Sequence, residues 1–228
     1  METLKLILVG NGSAGKTSIC TRFREDGFRR VYKQTIGIDF MEKKLKVRDK
    51  EIALQVWDIG GQSIGSKMLP QYVWGADIIF LCYDITDVQS FADAEDWLSL
   101  TRRAPASEHA EKGRGAVYLV GNKIDLEHLR RVTEKMHEKF IADNGLSGGF
   151  LISARSGEAV LTAFYTAAAA FLGVTLSALE LELTQKVLTV TVAAKGGSDD
   201  ARLPGADAVE AEDRAAMEKG GRGCCTVA

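Results

Sequence analysis

The chain has 228 residues, of which 46% are hydrophobic and 26% are charged, a balance typical of a globular protein with one domain and a tail, or two small domains. Its formal net charge is −2, and no long run of lysine or arginine occurs, so we expect no nucleic-acid partner. No apolar stretch is long enough to span a bilayer, and the N-terminus leads straight into a predicted strand, so we expect neither a membrane span nor a signal peptide.

Hydrophobic patterning predicts strands that alternate with helices along most of the chain. The strands are expected at residues 4–9, 38–47, 52–58, 78–84, 116–122 and 150–153. The helices are expected at residues 17–24, 90–103, 134–144 and 160–172. Ser90 is predicted to cap the second helix, and Thr133 and Gly145 to begin and end the third, whose apolar residues are Met136, Phe140 and Ile141. This order predicts an α/β fold with a six-stranded, mostly parallel sheet, helices on both faces, and strand 38–47 as an antiparallel edge strand.

The C-terminal part of the chain has a different composition. We expect one domain over residues 1–175, and then an amphipathic extension over residues 176–194, where Leu176, Leu179, Leu183 and Val187 recur at helical spacing. Residues 195–228 are rich in glycine, alanine and acidic residues, which favours a flexible tail.

A glycine-rich motif follows the first predicted strand. Residues 10–17 have the spacing G-x-x-x-x-G-K-T, and a helix is predicted directly after them. Backbone N–H groups of such a loop point at phosphate, Lys16 supplies a charge, and the Thr17 hydroxyl is suited to Mg²⁺. Without its context the motif would be an ordinary glycine-rich turn, but a strand before it and a helix after it favour a P-loop NTPase.

Two further motifs lie at the ends of predicted strands. Residues 58–61 read D-x-x-G, and Gln62 follows them, where a side-chain amide is suited to orient an attacking water. Asn122, Lys123 and Asp125 follow a buried strand, and the carboxylate of Asp125 is suited to accept both the N1–H and the amino group of guanine. Each pattern is weak alone, since a strand-end aspartate or a polar turn would look the same.

Together with Thr35 and residues 153–155, these motifs resemble a Ras-like small GTPase, most closely the Rab family and its atypical members with the sequence W-D-I-G-G-Q. The resemblance covers about residues 4–172. It implies a phosphate site formed by Gly12, Ser13, Ala14, Gly15, Lys16, Thr17, Ser18 and Gly61. It implies a Mg²⁺ site formed by Thr17, Thr35 and Asp58, with Gln62 as the catalytic residue. It implies a guanine site formed by Asn122, Lys123, Asp125, Ser153, Ala154 and Arg155. It implies an effector surface formed by Ile36, Gly37, Ile38, Asp39, Phe40, Trp57 and Tyr72.

The chain departs from the usual Rab pattern W-D-T-A-G-Q-E at three positions. Ile59, Gly60 and Ser63 stand where threonine, alanine and glutamate are usual, and Arg155 stands where lysine is commoner. The glycine pair is expected to leave the backbone more freedom. The loss of the charge beside Gln62 puts recognition by the usual Rab activators in doubt.

The last residues are predicted to carry a lipid. Cys225 begins a C-a-a-X ending, whose terminal alanine favours farnesyl, and Cys224 beside it matches the paired cysteines that Rab proteins use for two geranylgeranyl chains. The acidic residues of the tail counter its few cations, so we expect reversible attachment to the cytoplasmic face of an intracellular membrane. The alternative is a pair of exposed thiols.

The resemblance therefore implies a guanine-nucleotide switch that hydrolyses GTP slowly and recruits effectors in membrane traffic. Its expected partners are effectors, an exchange factor, a GTPase-activating protein and a prenyltransferase. Two alternatives remain open at this point. One is a nucleotide-locked scaffold with negligible turnover, and the other is an ATP-dependent P-loop kinase, which Asp125 disfavours.

Overall fold

A computed structural model describes residues 2–25, 34–65, 68–103, 115–177 and 179–180 of the chain. The strands are β1 (Glu2–Val9), β2 (Ile38–Val47), β3 (Lys50–Ile59), β4 (Ile78–Asp84), β5 (Ala116–Asn122) and β6 (Gly148–Ile152). The α-helices are α1 (Lys16–Glu25), α2 (Leu69–Val73), α3 (Val88–Ala92), α4 (Ala94–Arg103), α5 (Glu134–Asn144) and α6 (Val160–Phe171). In the described ranges, 3-10 helices span Gly61–Gly65 and Ile124–Leu129.

The strands form one six-stranded sheet in the order β2-β3-β1-β4-β5-β6. All neighbouring pairs are parallel except β2 and β3, which are antiparallel, so β2 is the edge strand that the sequence predicted. The predicted fold class is therefore confirmed. Because the carboxyl ends of the parallel strands meet at one edge, the segments that follow β1, β3, β5 and β6 are brought together there.

Each face of the sheet carries its own apolar core. On one face, helices α1 and α6 pack against β1 and β4, and the rings of Phe23 and Phe164 stack with centroids 3.9 Å apart. On the other face, Trp97 and Leu98 of α4 pack against β1, β4 and β5. Cys20 and Cys82 are both buried and unoxidised, as expected of small core residues.

The predicted helix over residues 90–103 is wrong at its start. Asp87 caps α3 by accepting the Gln89 N–H over 3.0 Å, and a break at Asp93 separates α3 from α4. Ser90 is buried, and its Oγ accepts the Asp84 N–H over 3.0 Å and donates to the Asp87 carbonyl oxygen over 2.8 Å. A serine with helical neighbours on both sides therefore bonds the preceding turn instead of opening the helix. The predicted caps of α5, Thr133 and Gly145, are confirmed.

Helix α5 buries a histidine where the sequence suggested an apolar face. His137 is buried, whereas Met136 beside it is exposed and Phe140 and Ile141 are partly buried. The His137 Nδ1 and the Tyr83 hydroxyl lie 3.0 Å apart. Burial, assisted by the positive charge of Arg130, lowers the pKa of His137 to about 4, so the imidazole is neutral at physiological pH.

The turn between β2 and β3 holds the last described residues. Arg48, with a φ of 53°, forms an ion pair of 2.9 Å with Glu180 and donates to the Thr175 carbonyl oxygen over 2.6 Å. Glu180 also accepts the Ser177 N–H over 2.7 Å, and the Ser177 Oγ accepts the Glu180 N–H over 3.3 Å, which is a helix capping box. These bonds from Arg48 and Ser177 lower the pKa of Glu180 to about 2. Residues 181–228, with Leu183, Val187, Cys224 and Cys225, lie outside the described part of the chain.

Candidate functional site

The loop between β1 and α1 has the predicted strand–loop–helix context, and two of its glycines are required by close contacts. Gly10 has a φ of 136°, and a Cβ built on it would lie 2.1 Å from the Cys82 carbonyl oxygen. Gly15 has a φ of 89°, and its Cβ would lie 2.2 Å from Asn122 Nδ2. Both positions therefore require glycine, because the positive φ disfavours other residues and the neighbouring atoms leave no room for a Cβ.

Lys16 lies inside the curve of this loop. Its Nζ donates to the carbonyl oxygens of Gly10 and Asn11 over 2.7 and 2.8 Å. Burial lowers the pKa of this ammonium group, against the opposing influence of nearby groups that include Asp58. The loop thus holds one buried cation at the N-terminus of α1, where helix and loop amides already favour an anion.

Three oxygen-bearing side chains from distant parts of the sequence meet beside Lys16. The Thr17 Oγ1 lies 2.7 Å from the Thr35 Oγ1 and donates to Asp58 Oδ2, and the Thr35 Oγ1 lies 3.3 Å from the same carboxylate oxygen. Asp58 is only 2% exposed, and burial raises its pKa. Its Oδ1 is buried without a hydrogen-bond partner among the described residues. Two hydroxyls and an unsatisfied carboxylate oxygen form a donor set that fits Mg²⁺.

The glycine pair that follows Asp58 packs tightly against two other loops. A Cβ built on Gly61 would lie 2.1 Å from the Gly12 nitrogen, and one built on Gly60 would lie 2.5 Å from the Thr35 carbonyl oxygen. The pair therefore allows close main-chain contact, which is a different role from the conformational freedom that the sequence suggested. Gln62 follows on the 3-10 helix with its side chain exposed, and Ser63 is buried.

Asn122 joins two of the predicted nucleotide loops. Its Nδ2 donates to the Ala14 carbonyl oxygen over 2.9 Å, and its Oδ1 accepts the Ala154 N–H over 3.0 Å. Both ends of this buried amide therefore bond to protein, so Asn122 fixes the distance between the P-loop and the loop after β6.

The remaining residues of the predicted base site lie around Asp125. Its Oδ1 accepts the Ser153 hydroxyl over 2.6 Å, and its Oδ2 lies 3.6 Å from a guanidinium nitrogen of Arg155. Lys123, with a φ of 73°, forms an ion pair of 2.6 Å with Asp84. The structure thus brings all six predicted base-site residues, Asn122, Lys123, Asp125, Ser153, Ala154 and Arg155, to one edge of the sheet.

Two aromatic residues of the predicted effector surface are neighbours on β2 and β3. Phe40 and Trp57 are directly opposed in the antiparallel register, with ring centroids 5.4 Å apart in an edge-to-face arrangement. Phe40 is 48% exposed and Ile36 is 91% exposed, whereas Trp57 and Tyr72 are partly buried. The Lys5 Nζ lies 4.5 Å from the centre of the Trp57 ring. Aromatic and aliphatic groups therefore reach solvent beside the Thr35 loop.

Sequence reasoning missed two residues that support the site. Arg22 of α1 donates from Nε to the Ala154 carbonyl oxygen over 3.0 Å. Asn11, a variable position of the P-loop motif, bonds both Asp93 and Trp97. No local pattern marks either residue, because the partners lie 132, 82 and 86 positions away.

The six-stranded sheet has a P-loop after β1, oxygen-bearing side chains that meet beside it, and a polar cluster at the ends of β5 and β6. This arrangement is that of a P-loop NTPase fold. The family model described as Ras family matches residues 5–172. The chain is 38% identical over 202 residues to Ras-related protein Rab-28 of Caenorhabditis elegans, which covers 88% of this chain and 79% of that protein. It is also 38% identical over 160 residues to Ras-related protein Rab-13 of Mesocricetus auratus and of Bos taurus, which covers 70% of this chain and 75% of each of them.

The chain belongs to the Ras family of small GTPases and, within it, to the Rab proteins. It is therefore a GTP-binding protein that hydrolyses GTP, and the family predicted from the sequence motifs is confirmed. Among the described residues, no helix is long and apolar enough to cross a membrane.

Proposed function

We propose that the chain is a slow GTPase switch of membrane traffic whose two switch segments close over the γ-phosphate of GTP. The γ-phosphate is expected to order residues 30–40 and 59–74; within them, residues 34–40 are called the first switch segment and residues 59–65 the second. One observation carries the proposal: Thr35 and Asp58, at the borders of these segments, both bond within one cluster around the Thr17 hydroxyl. A Mg²⁺ ion that binds these side chains together with a γ-phosphate oxygen would hold both segments at once.

The chemistry assigned to the site is the in-line attack of water on the γ-phosphate, which yields GDP and phosphate. The P-loop amides and Lys16 hold the phosphates, and Gln62 orients the water. Mg²⁺, held by Thr17, Thr35 and Asp58, would neutralise charge on the phosphate oxygens. Unassisted turnover is expected to be on the order of 10⁻⁴–10⁻³ s⁻¹, rising up to about 10⁵-fold with an activating protein.

Guanine specificity is assigned to Asp125. The Ser153 hydroxyl holds one of its carboxylate oxygens, and the other oxygen lies near Arg155. A carboxylate fixed in this way accepts the N1–H and the amino group of guanine, whereas adenine offers no matching pair of donors. The mismatch would leave the carboxylate without donors from the base, at a cost on the order of 1–3 kcal/mol or more.

The output of the switch is assigned to the surface formed by Phe40, Trp57 and Tyr72, which would bind effector proteins when the first switch segment is held by GTP. An exchange factor and an activating protein would control the nucleotide state. Prenylation of Cys225, with Cys224 as a second site, would attach the protein to the cytoplasmic face of an intracellular membrane.

Single-turnover hydrolysis tests the catalytic part of this proposal. Purified protein loaded with GTP is followed for phosphate release, and Gln62→Leu is expected to slow the reaction at least about ten-fold with GTP affinity retained. Equal rates for the two proteins, or no measurable hydrolysis by wild type even with an activator, would favour the nucleotide-locked scaffold instead.

Nucleotide competition tests the base site. Wild type is expected to bind GTP in the presence of excess ATP. Asp125→Asn replaces one carboxylate oxygen, an acceptor, with an NH₂ donor. It is therefore expected to weaken GTP binding and to favour xanthosine triphosphate, whose base carries an oxygen where guanine carries its amino group. If ATP competed equally with GTP, the assignment of Asp125 would be wrong.

A further inference from the structure

The side chain of Asn11 is held at both ends. Its Nδ2 donates to Asp93 Oδ2 over 2.5 Å, and its Oδ1 accepts the indole N–H of Trp97 over 2.9 Å. Asp93 in turn accepts the amide of Gln89 over 2.6 Å. A P-loop residue is therefore tied to the junction between α3 and α4.

These bonds allow the Asn11 amide only one orientation. Trp97 is completely buried, so its indole N–H requires an acceptor, and the carboxylate of Asp93 requires a donor. Turning the amide over would place its NH₂ against the indole N–H and its oxygen against the carboxylate. Trp97 and Asp93 together thus fix both the position and the direction of Asn11.

The main chain of Asn11 is equally constrained, and it lies at the point where the P-loop meets the second switch segment. Its carbonyl oxygen accepts the Lys16 Nζ over 2.8 Å. A Cβ built on Gly61 would lie 2.6 Å from the Asn11 carbonyl carbon and 2.1 Å from the Gly12 nitrogen. The peptide between Asn11 and Gly12 therefore sets how close Gly61, and hence Gln62, approaches the loop.

We propose that Asn11 is a positioning residue of the GTPase reaction, held by Asp93 and Trp97 so that the Asn11–Gly12 peptide fixes the second switch segment at the γ-phosphate. This inference rests on the function proposed above for Gln62 and the P-loop. Nucleotide affinity depends on many amides and on the base site, so a shift of this one peptide should affect hydrolysis more than binding. A misplacement on the order of 1 Å can cost about 100-fold in rate.

An exchange of the two polar groups tests the inference. Asn11→Asp sets two carboxylates against each other at hydrogen-bond distance, whereas Asp93→Asn alone keeps an oxygen that accepts from the Asn11 amide. The double variant Asn11→Asp/Asp93→Asn restores an amide–carboxylate pair with its direction reversed and keeps an acceptor for the Trp97 indole. Asp96→Asn is the matched control, because Asp96 is an exposed carboxylate on α4, three residues after Asp93.

Single-turnover GTP hydrolysis, GTP and GDP affinity, and thermal unfolding are measured for all of these proteins. Asn11→Asp is expected to slow hydrolysis about 10- to 100-fold while affinity changes less than about three-fold, and the double variant to recover most of the wild-type rate. Asp96→Asn should match wild type.

Three results would overturn the inference: an unchanged rate in Asn11→Asp, no recovery in the double variant, or a parallel loss of rate, affinity and stability. Gln62→Leu in the same series separates this inference from the proposed function. A normal rate in Gln62→Leu would refute the assigned role of Gln62, whereas a slow Gln62→Leu together with a normal Asn11→Asp would refute only the role of Asn11.

Discussion

The Gly60 N–H donates to the Gly37 carbonyl oxygen over 2.9 Å and so joins the end of β3 to the residue that precedes β2. The Cα of Gly60 faces the carbonyl of Thr35, where a Cβ would lie only 2.5 Å from the oxygen. The two switch segments therefore touch through main-chain atoms, and this contact depends on the absence of a side chain at position 60.

Gly60→Ala restores the alanine that Rab proteins usually carry, yet in this chain it should loosen the site. The added methyl group has to move the Thr35 backbone, which carries the Thr35 hydroxyl away from Thr17 and Asp58, and overpacking of this kind costs about 1–3 kcal/mol. We expect about ten-fold faster release of GTP in the presence of Mg²⁺, measured with a fluorescent nucleotide. Gly145→Ala is the control: its φ of 58° makes alanine unfavourable at the end of α5, but no atom lies within 4 Å of the Cβ built there, so stability should fall while release stays unchanged. Equal release from Gly60→Ala and wild type would show that the Thr35 loop does not depend on this contact.

Removal of Mg²⁺ should expose the role of Asp58. Its buried, unpartnered Oδ1 and the two threonine hydroxyls are the groups that fit the ion. We expect a chelator to speed GDP release from wild type, and Asp58→Asn to lower the apparent Mg²⁺ affinity about 10- to 100-fold in a titration of the release rate. Asp49→Asn, in the exposed turn at the far end of β2, is the matched control. A wild-type Mg²⁺ dependence in Asp58→Asn would contradict the assignment.

His137 should make the folded domain sensitive to mild acid. Its pKa falls from 6.5 to about 4 because the imidazole is buried. The unfolded chain therefore binds a proton that the folded chain excludes. The neutral, buried His137 contributes to the free energy of unfolding. This contribution is complete above pH 6.5 and is lost as the pH falls towards 4, by about 3 kcal/mol in total.

Denaturant unfolding at several pH values checks this effect. His137→Gln should be less stable than wild type at pH 7.5, because the bond to Tyr83 is altered in a buried site, but its stability should change less between pH 7 and about pH 4.5. His128→Gln, at an exposed histidine, should follow the wild-type curve. Parallel curves for wild type and His137→Gln would refute the assignment.

Phe40→Ala should remove effector binding with little effect on folding. The ring is 48% exposed and packs edge-to-face on Trp57, so its loss costs about 1 kcal/mol of stability. In a pull-down, some proteins are expected to bind the Gln62→Leu variant loaded with GTP and not the protein loaded with GDP. These GTP-dependent partners should no longer bind when Phe40→Ala is added to Gln62→Leu. Val88→Ala removes a similarly exposed apolar side chain on α3 and should retain them. Retention of the GTP-dependent partners by Phe40→Ala would place the effector surface elsewhere.

Local patterns predicted most of this fold because β1, β4 and β5 are mainly apolar runs, β2 and β3 alternate between apolar and polar residues, and the glycine loops have fixed spacing. Strands β4 and β5 have the predicted bounds, as does helix α5 with both of its caps. Ser90 was misassigned because serine serves equally well as a cap and as a bond to the preceding turn. The capping box Ser177-x-x-Glu180 is present in the sequence as S-x-x-E, a signal that the apolar spacing of residues 176–187 does not contain.

The site was predicted less completely than the fold. Motifs named the residues that resemble those of the family, but they could not show that Asn122 bonds two loops or that Gly60 faces Thr35. These contacts join positions far apart in the chain, and no local sequence pattern accompanies either partner. Asn11 is the clearest example, since its residue type has meaning only when Asp93 and Trp97 are beside it.

The ion pair between Arg48 and Glu180 fixes where the last described residues leave the domain. Arg48 follows β2 and precedes β3, so the ten residues of β3 separate it from the end that carries Asp58, a distance of about 30 Å for an extended strand. A protein that recognises the nucleotide state beside Asp58 would thus bind a surface remote from Arg48 and Glu180. The contacts that Arg48 makes with Thr175 and Glu180 would therefore not compete with a partner bound beside Asp58.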